Sequence, residues 1–184
     1  MLQAWDESIL QWIQHTLRGP FLDAVLPAIT FLGDAALIWI AAAVLLMAIK
    51  TQRAAGAAVA VALLLSLLVG NCGIKPLVAR LRPCDVDLSI TLLIPHPGEF
   101  SFPSGHSMSS FAAATALFLY RKKWGAAALV LAALIGFSRL YLYVHYPTDV
   151  LAGALIGVGL AFLSRFLVER YRKKRAGARP KSNA

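Results

Sequence analysis

Five stretches of this chain, 27–49, 54–72, 104–120, 124–143 and 149–168, are apolar over nearly the length of a bilayer crossing. At 1.5 Å per residue each approaches the ~30 Å of a hydrocarbon layer, and a segment in lipid must satisfy its backbone polar groups internally. The predicted fold class is therefore an all-α integral membrane helix bundle with five spanning helices. A composition of 59% hydrophobic and 15% charged residues excludes an ordinary soluble domain, and 184 residues suit a single one. Residues 20–33 contain Pro20, Pro27 and Gly33. They predict a kinked or partly re-entrant lead into the first span and leave room for a sixth.

Upstream, Trp5, Ile9, Trp12, Ile13 and Leu17 recur at helical spacing. Residues 1–19 thus predict an amphipathic helix, lying in the outer interface or packed on the bundle. Asp6 and Glu7 stand where a secretory leader carries basic residues, so a cleaved signal peptide is not expected.

The net charge of +9 is distributed by topology. Thirteen of the eighteen Lys and Arg fall at Lys50 and Arg53, at Arg121 to Lys123, and between Arg165 and Lys181. The positive-inside rule places those turns and the C-terminus in the cytoplasm, and the 73–103 loop outside. Such grouping argues against nucleic acid as a partner. Residues 1–172 are expected to form one membrane domain, with 173–184 a basic, disordered tail that is solvated or rests on anionic lipid. Cys72 and Cys84 fall on the outer side, where a disulfide is allowed, although two free thiols are the stronger expectation. Neither cysteine has a metal-ligand cluster around it in sequence, so no zinc site is expected. Gly153, Gly157 and Ala161 form a small-residue stripe that reads as internal packing before it reads as a dimer face.

The remaining cations sit beside three polar motifs. Lys75 and Arg82-Pro83 open the outer loop, while Arg80 between them reads, taken alone, as a cation snorkelling toward headgroups. Pro103-Ser104-Gly105-His106 begins the third span. Ser104 can cap that helix, Gly105 permits close approach to the backbone, and the helix start presents unpaired N–H groups to an anion. Ser138-Arg139, His145 and Asp149 lie at the outer end of the fourth span and the start of the fifth. An arginine in an apolar helix suits an anion held by its fork of donors. Asp149, about one turn beyond His145, can hold one imidazole nitrogen and leave the other free. All three motifs fall at the outer ends of helices, so a bundle can bring them into one pocket.

Taken together, Lys75 with Arg82-Pro83, Pro103 to His106, and Ser138-Arg139 with His145 and Asp149 resemble the signatures of the type 2 phosphatidic acid phosphatase superfamily. That superfamily shares its catalytic core with vanadium haloperoxidases and glucose-6-phosphatase. The resemblance covers residues 75–149 without departure. It implies a metal-independent membrane lipid phosphatase without cofactors, in which Lys75, Arg82, Arg139, Ser104 and Gly105 bind phosphate. His145 would attack phosphorus, His106 would transfer protons, and Asp149 would orient His145. Among lipid phosphates it implies undecaprenyl diphosphate first, with phosphatidylglycerophosphate and phosphatidic acid close behind, in a bacterial cytoplasmic membrane with the site facing outside. A lipid phosphotransferase would use the same residues. A catalytically idle lipid-binding protein and a vanadium-dependent haloperoxidase are the readings from other classes.

Overall fold

The structure, a computed structural model, describes residues 2–177, and among these the ordered elements are helical, with no strand. In chain order the helices are α1 (Leu2–Thr16), α2 (Pro20–Leu32), α3 (Leu37–Ala48), α4 (Arg53–Ser66), α5 (Lys75–Val78), α6 (Pro83–Val86), α7 (Gly105–Tyr120), α8 (Lys122–Tyr141) and α9 (Pro147–Gly177). A 3-10 turn, Asp34–Ala36, separates α2 from α3, and a π-helical stretch, Leu67–Ile74, joins α4 to α5.

Helix α7 is the axis of the bundle and packs against α4, α8 and α9. In lipid no hydrophobic force distinguishes a neighbouring helix from an acyl chain, so close van der Waals contact must hold helices together. The sequence supplies it with small side chains: Ala112, Ala113, Ala114 and Ala116 on α7, Ala58 and Ala62 on α4, Ala132 on α8 and Ala161 on α9 are all buried. The Gly153, Gly157, Ala161 stripe is the α9 side of this seam. A Cβ at Gly153 would lie 2.7 Å from the Ser104 carbonyl oxygen, and one at Gly157 would strike that of Met108.

Three segments are long and apolar enough to cross a bilayer, Lys50–Val86, Lys122–Tyr141 and Pro147–Gly177, and the α2–α3 pair, bent by 46°, makes a fourth candidate. The expected 104–120 segment is helical as α7, which has 16 residues with Ser104 as its cap and is shorter than the other candidate spans. The kink before the first span is present, but it falls at Gly33–Ala36 rather than at Pro20 or Pro27, which α2 accommodates as its first residue and an interior residue. The turns at Lys50–Gln52 and Arg121 lie side by side, since Arg121 Nη2 donates to the Thr51 carbonyl at 3.4 Å. Helix α9 continues through Gly177, so the expected disordered tail does not begin at 173, and 178–184 lie outside the described residues.

Helix α1 packs on the bundle through Leu10 and Ile13, which join Leu26, Tyr141, Leu142 and Tyr146 in a cluster beneath the 79–103 loop. Trp5 and Trp12, read as part of the same apolar face, turn away and are 45% and 55% exposed. The residue they give way to is Asp6, fully buried and bonded to Arg80 Nη2 at 2.7 Å.

Candidate active site

The N-terminal ends of α5 and α7, the C-terminal end of α8 and the loops before α6 and α9 border a cavity of about 730 Å³. Lys75, Arg82, Gly105, His106, Arg139 and His145 all line it, together with Asn71 and Glu99. Three segments separated by two spans therefore converge, as their placement at helix ends predicts.

Arg82 is the most firmly held. Its Nε donates to the Glu99 carbonyl at 2.6 Å, Nη2 to that of Phe100 at 3.3 Å, and Nη1 to that of Val144 at 2.7 Å. The same Nη1 lies 3.0 Å from His145 Nε2. An arginine can only donate, so His145 Nε2 must be an acceptor and the neutral ring carries its proton on Nδ1. On that edge the Asp149 Oδ2 stands 3.5 Å away and the Ser101 hydroxyl 3.4 Å away. Ser101 spends its own proton on Asp149 Oδ2 and so is free to accept from Nδ1. The expected His145–Asp149 contact is thus shared with a serine that the sequence did not single out.

Asp149 is fixed from every side. Its Oδ2 also accepts from the Tyr146 backbone N–H at 2.9 Å, and its Oδ1 accepts from Arg80 Nη1 at 2.7 Å. This corrects the reading of Arg80 as a headgroup-seeking side chain. Its guanidinium bridges Asp149 and Asp6 while lying 3.8 Å over the Tyr146 ring, because two buried carboxylates require a cation between them. Helix α1 is thereby tied to the same network, with Asp6 also accepting from the Thr148 backbone N–H at 2.9 Å.

Two predicted site residues stand behind the cavity wall. Ser104 caps α7, accepting from the Ser107 hydroxyl at 3.0 Å and its backbone N–H at 3.4 Å, and neither Ser104 nor Asp149 lines the cavity. Gly105 does line it, and a Cβ there would lie 3.8 Å from Lys75 Nζ, in the space an anion would need. Arg139 donates from Nη1 to Thr30 Oγ1 at 2.6 Å, while its buried Nε has no partner among the described residues. Lys75 pairs with Glu99, whose carboxyl is held below its ordinary range by that bond. His106 Nε2 lies 2.8 Å from Asp34 Oδ1. Asp34 was missed, although it is the one charged residue within the apolar stretch 27–49, and a charge in a span is a functional signal.

Both cysteines are free, Cys72 exposed and Cys84 buried. The fold does bring ligand-type side chains to Cys84: its Sγ, the Asp85 carboxylate and His96 lie within 4.8 Å of one another. Sequence spacing gave no sign of this, since His96 arrives by the return of the loop that follows α6. The Asp85 carboxylate is already engaged, by the Arg82 backbone N–H at 2.9 Å and by His96 at 2.6 Å.

Burial lowers the His145 pKa from the ordinary 6.5 to about 3, with the charges of Arg82 and Arg139 adding to the effect against Asp149. The ring is therefore neutral at physiological pH, as a nucleophile must be. An unfolded chain binds this proton below 6.5 and the folded protein only near 3, so the stability held by the neutral ring is complete above pH 6.5 and drains away as pH falls toward 3. Thermal unfolding in detergent at fixed salt is expected to show a midpoint that falls across that window, and His145→Asn is expected to flatten the dependence.

Residues 55–173 match the model of the PAP2 superfamily. The chain is 34% identical over 128 residues to a protein of Sulfolobus acidocaldarius named undecaprenyl-diphosphatase, an alignment covering 69% of this chain and 62% of that relative. It thus spans less than two thirds of that relative's length. It is also 34% identical to a lipid A 4'-phosphatase of Bacteroides thetaiotaomicron, over 84% of this chain and 73% of the relative. A solved transmembrane phosphatidylglycerolphosphate phosphatase of Bacillus subtilis superposes with a TM-score of 0.76 at 29% identity, covering 91% of this chain and 86% of that one. With its motifs gathered in one cavity and its helices arranged as in that structure, this chain belongs to the PAP2 superfamily.

Proposed function

We propose that the protein is a membrane lipid phosphatase that works through a phosphohistidine intermediate on His145. The observation that carries this reading is the cavity itself. One wall carries Lys75, Arg82, Arg139, His106 and His145, and the other is apolar, formed by Ile40, Leu63, Leu64 and Leu67. Ile40, Leu64 and Leu67 are also exposed on the flank of the bundle. A phosphate can therefore sit among the cations while its hydrocarbon tail leaves sideways between α3 and α4, a division suited to an amphiphile.

In the proposed reaction the Nε2 lone pair of His145 attacks phosphorus, and Arg82 exchanges its bond with Nε2 for one to a phosphoryl oxygen. The bond to the leaving oxygen breaks as His106 supplies a proton. His106 then takes a proton from water, whose oxygen attacks phosphorus, and the P–N bond breaks to release inorganic phosphate. Lys75, Arg82 and Arg139 neutralise the charge that spreads over the transferring group, the task that metal ions perform in other phosphoryl transfers. Asp149 and Ser101 hold the Nδ1 proton and so keep Nε2 free.

Undecaprenyl diphosphate is the proposed substrate, supported by the name of the Sulfolobus acidocaldarius relative. Phosphatidylglycerophosphate and a lipid A 4'-phosphate are the alternatives that the other relatives supply. Purified protein in EDTA is expected to release phosphate from undecaprenyl diphosphate faster than from phosphatidylglycerophosphate, lipid A or phosphatidic acid. No release from any of the four, by folded protein, would overturn the reading; delivery of the phosphoryl group to an added lipid alcohol would make it a transferase.

The proposed location is the cytoplasmic membrane with the cavity outward, supported by the basic residues gathered at the opposite end of the bundle. A cysteine introduced at Ser89, in a Cys72→Ser, Cys84→Ser background, is expected to react with an impermeant maleimide on intact cells. Labelling only after lysis would reverse the orientation.

A further inference from the structure

The second histidine has a carboxylate partner that no motif predicts. His106 Nε2 lies 2.8 Å from Asp34 Oδ1, and among the described residues Nδ1 of that ring has no partner. The charged groups around the ring are Asp34 from the α2–α3 break, Arg139 from α8, and Arg82 and Glu99 from the outer loop. Asp34 is the one bonded to it.

The backbone there is shaped for this contact. Ala35 and Ala36 adopt left-handed conformations, with φ of 48° and 56°, which alanine seldom takes. Strain of this kind persists where surrounding structure over-determines it, and it collects at functional sites. Gly33 lies so close to the imidazole that a Cβ would stand 2.7 Å from His106 Cδ2. The break in the helix therefore presents a flat backbone to the ring and a carboxylate to its Nε2. Gly33, Ala35 and Ala36 line the cavity, whereas Asp34 does not. Its negative charge is thus kept off the wall that would meet phosphate, as that of Asp149 is.

We propose that Asp34 is the positioning residue of His106, so that the site holds two carboxylate–imidazole pairs, one for the attacking histidine and one for the histidine that moves protons. This rests on the hydrolase reading above. The two pairs differ in burial: the Asp149 side chain is fully buried, while that of Asp34 is 48% exposed. As a positioning residue Asp34 fixes Nε2–H and stabilises the imidazolium, leaving Nδ1 for the leaving oxygen and then for the hydrolytic water.

The test is a double-mutant cycle on the lipid that wild type hydrolyses fastest, with kcat and KM measured across pH. Asp34→Asn is expected to lower kcat by up to about 10²-fold, the lower end of what a proton-transfer residue contributes, with KM within twofold. Asp34→Glu, which keeps the carboxylate, is expected to recover most of that loss, and the pH profile of Asp34→Asn is expected to shift on the limb that His106 governs. In a His106→Ala background, Asp34→Asn is expected to have no further effect, since the two residues act as one unit. An equal loss in both backgrounds, or a higher KM with kcat unchanged, would overturn the pairing. If wild type releases no phosphate, the hydrolase reading fails instead. The pairing is then read from the ¹⁵N shift of the His106 ring, which Asp34→Asn moves if the bond exists and leaves in place if it does not.

Discussion

Phosphate release by His145→Ala is expected to fall by about 10⁴-fold or more, to the background of the assay. The magnitude follows from the geometry of the cavity. Nε2 of His145 is the atom that would form the new bond to phosphorus, and Arg82 Nη1, 3.0 Å away, holds its lone pair in place. No other group on that wall is offered for the attack: Lys75 is paired with Glu99, and His106, held at Nε2 by Asp34, is assigned to the proton on the leaving oxygen in the proposed reaction. The variant should still fold, because Asp149 keeps its bonds to Ser101, Tyr146 and Arg80 without the ring. Wild type incubated with lipid labelled in the transferable phosphate and quenched in alkali should carry an acid-labile label on the peptide containing His145. Label retained by His145→Ala, or turnover within tenfold of wild type, would rule out His145 as the covalent nucleophile.

The second large effect is expected at Arg82, where lysine should not replace arginine. The guanidinium reaches four acceptors at once, the carbonyls of Glu99, Phe100 and Val144 and the His145 ring, so it fixes the loop before α7 and the proposed nucleophile with one planar group. A lysine keeps the charge but has a single ammonium that cannot span them. Arg82→Lys is expected to lose about 10²- to 10³-fold in kcat, comparable with loss of a transition-state donor, with a smaller change in KM. Loss of binding alone would raise KM and leave kcat intact. That outcome would assign Arg82 to substrate capture and leave the orientation of His145 to Asp149 and Ser101.

Much of this site is legible along the chain because the residues that touch the cavity come in short motifs. Lys75, Arg82, His106, Arg139 and His145 each place a cation or imidazole at the end of an apolar stretch, where such groups are expensive without a purpose, and Gly105 is found through its neighbour His106. Most of their partners carry no such mark. Ser101, Glu99 and Thr30 are ordinary residues until the fold brings them within bonding distance, Arg80 is indistinguishable in sequence from a cation that faces headgroups, and Asp34 alone is marked, as the one charge in the apolar stretch 27–49. Ser104 is a different case. A serine at a helix start can bind an anion or cap its own helix, and which it does depends on where the hydroxyl points.

Sequence by itself determined the all-helical class, the bilayer as the medium and the gathering of three motifs at one end of a bundle. These follow from local properties: apolar length, the cost of an unsatisfied backbone in lipid, and charge grouping by loop. Only the tertiary structure decided that α7 is the central helix, that the first span breaks at Gly33–Ala36, and that α1 reaches Asp149 through Asp6 and Arg80. Those outcomes depend on contacts between residues far apart in the chain, such as Gly33 against the His106 ring. Periodicity and propensity, which are summed over neighbours, contain no information about them.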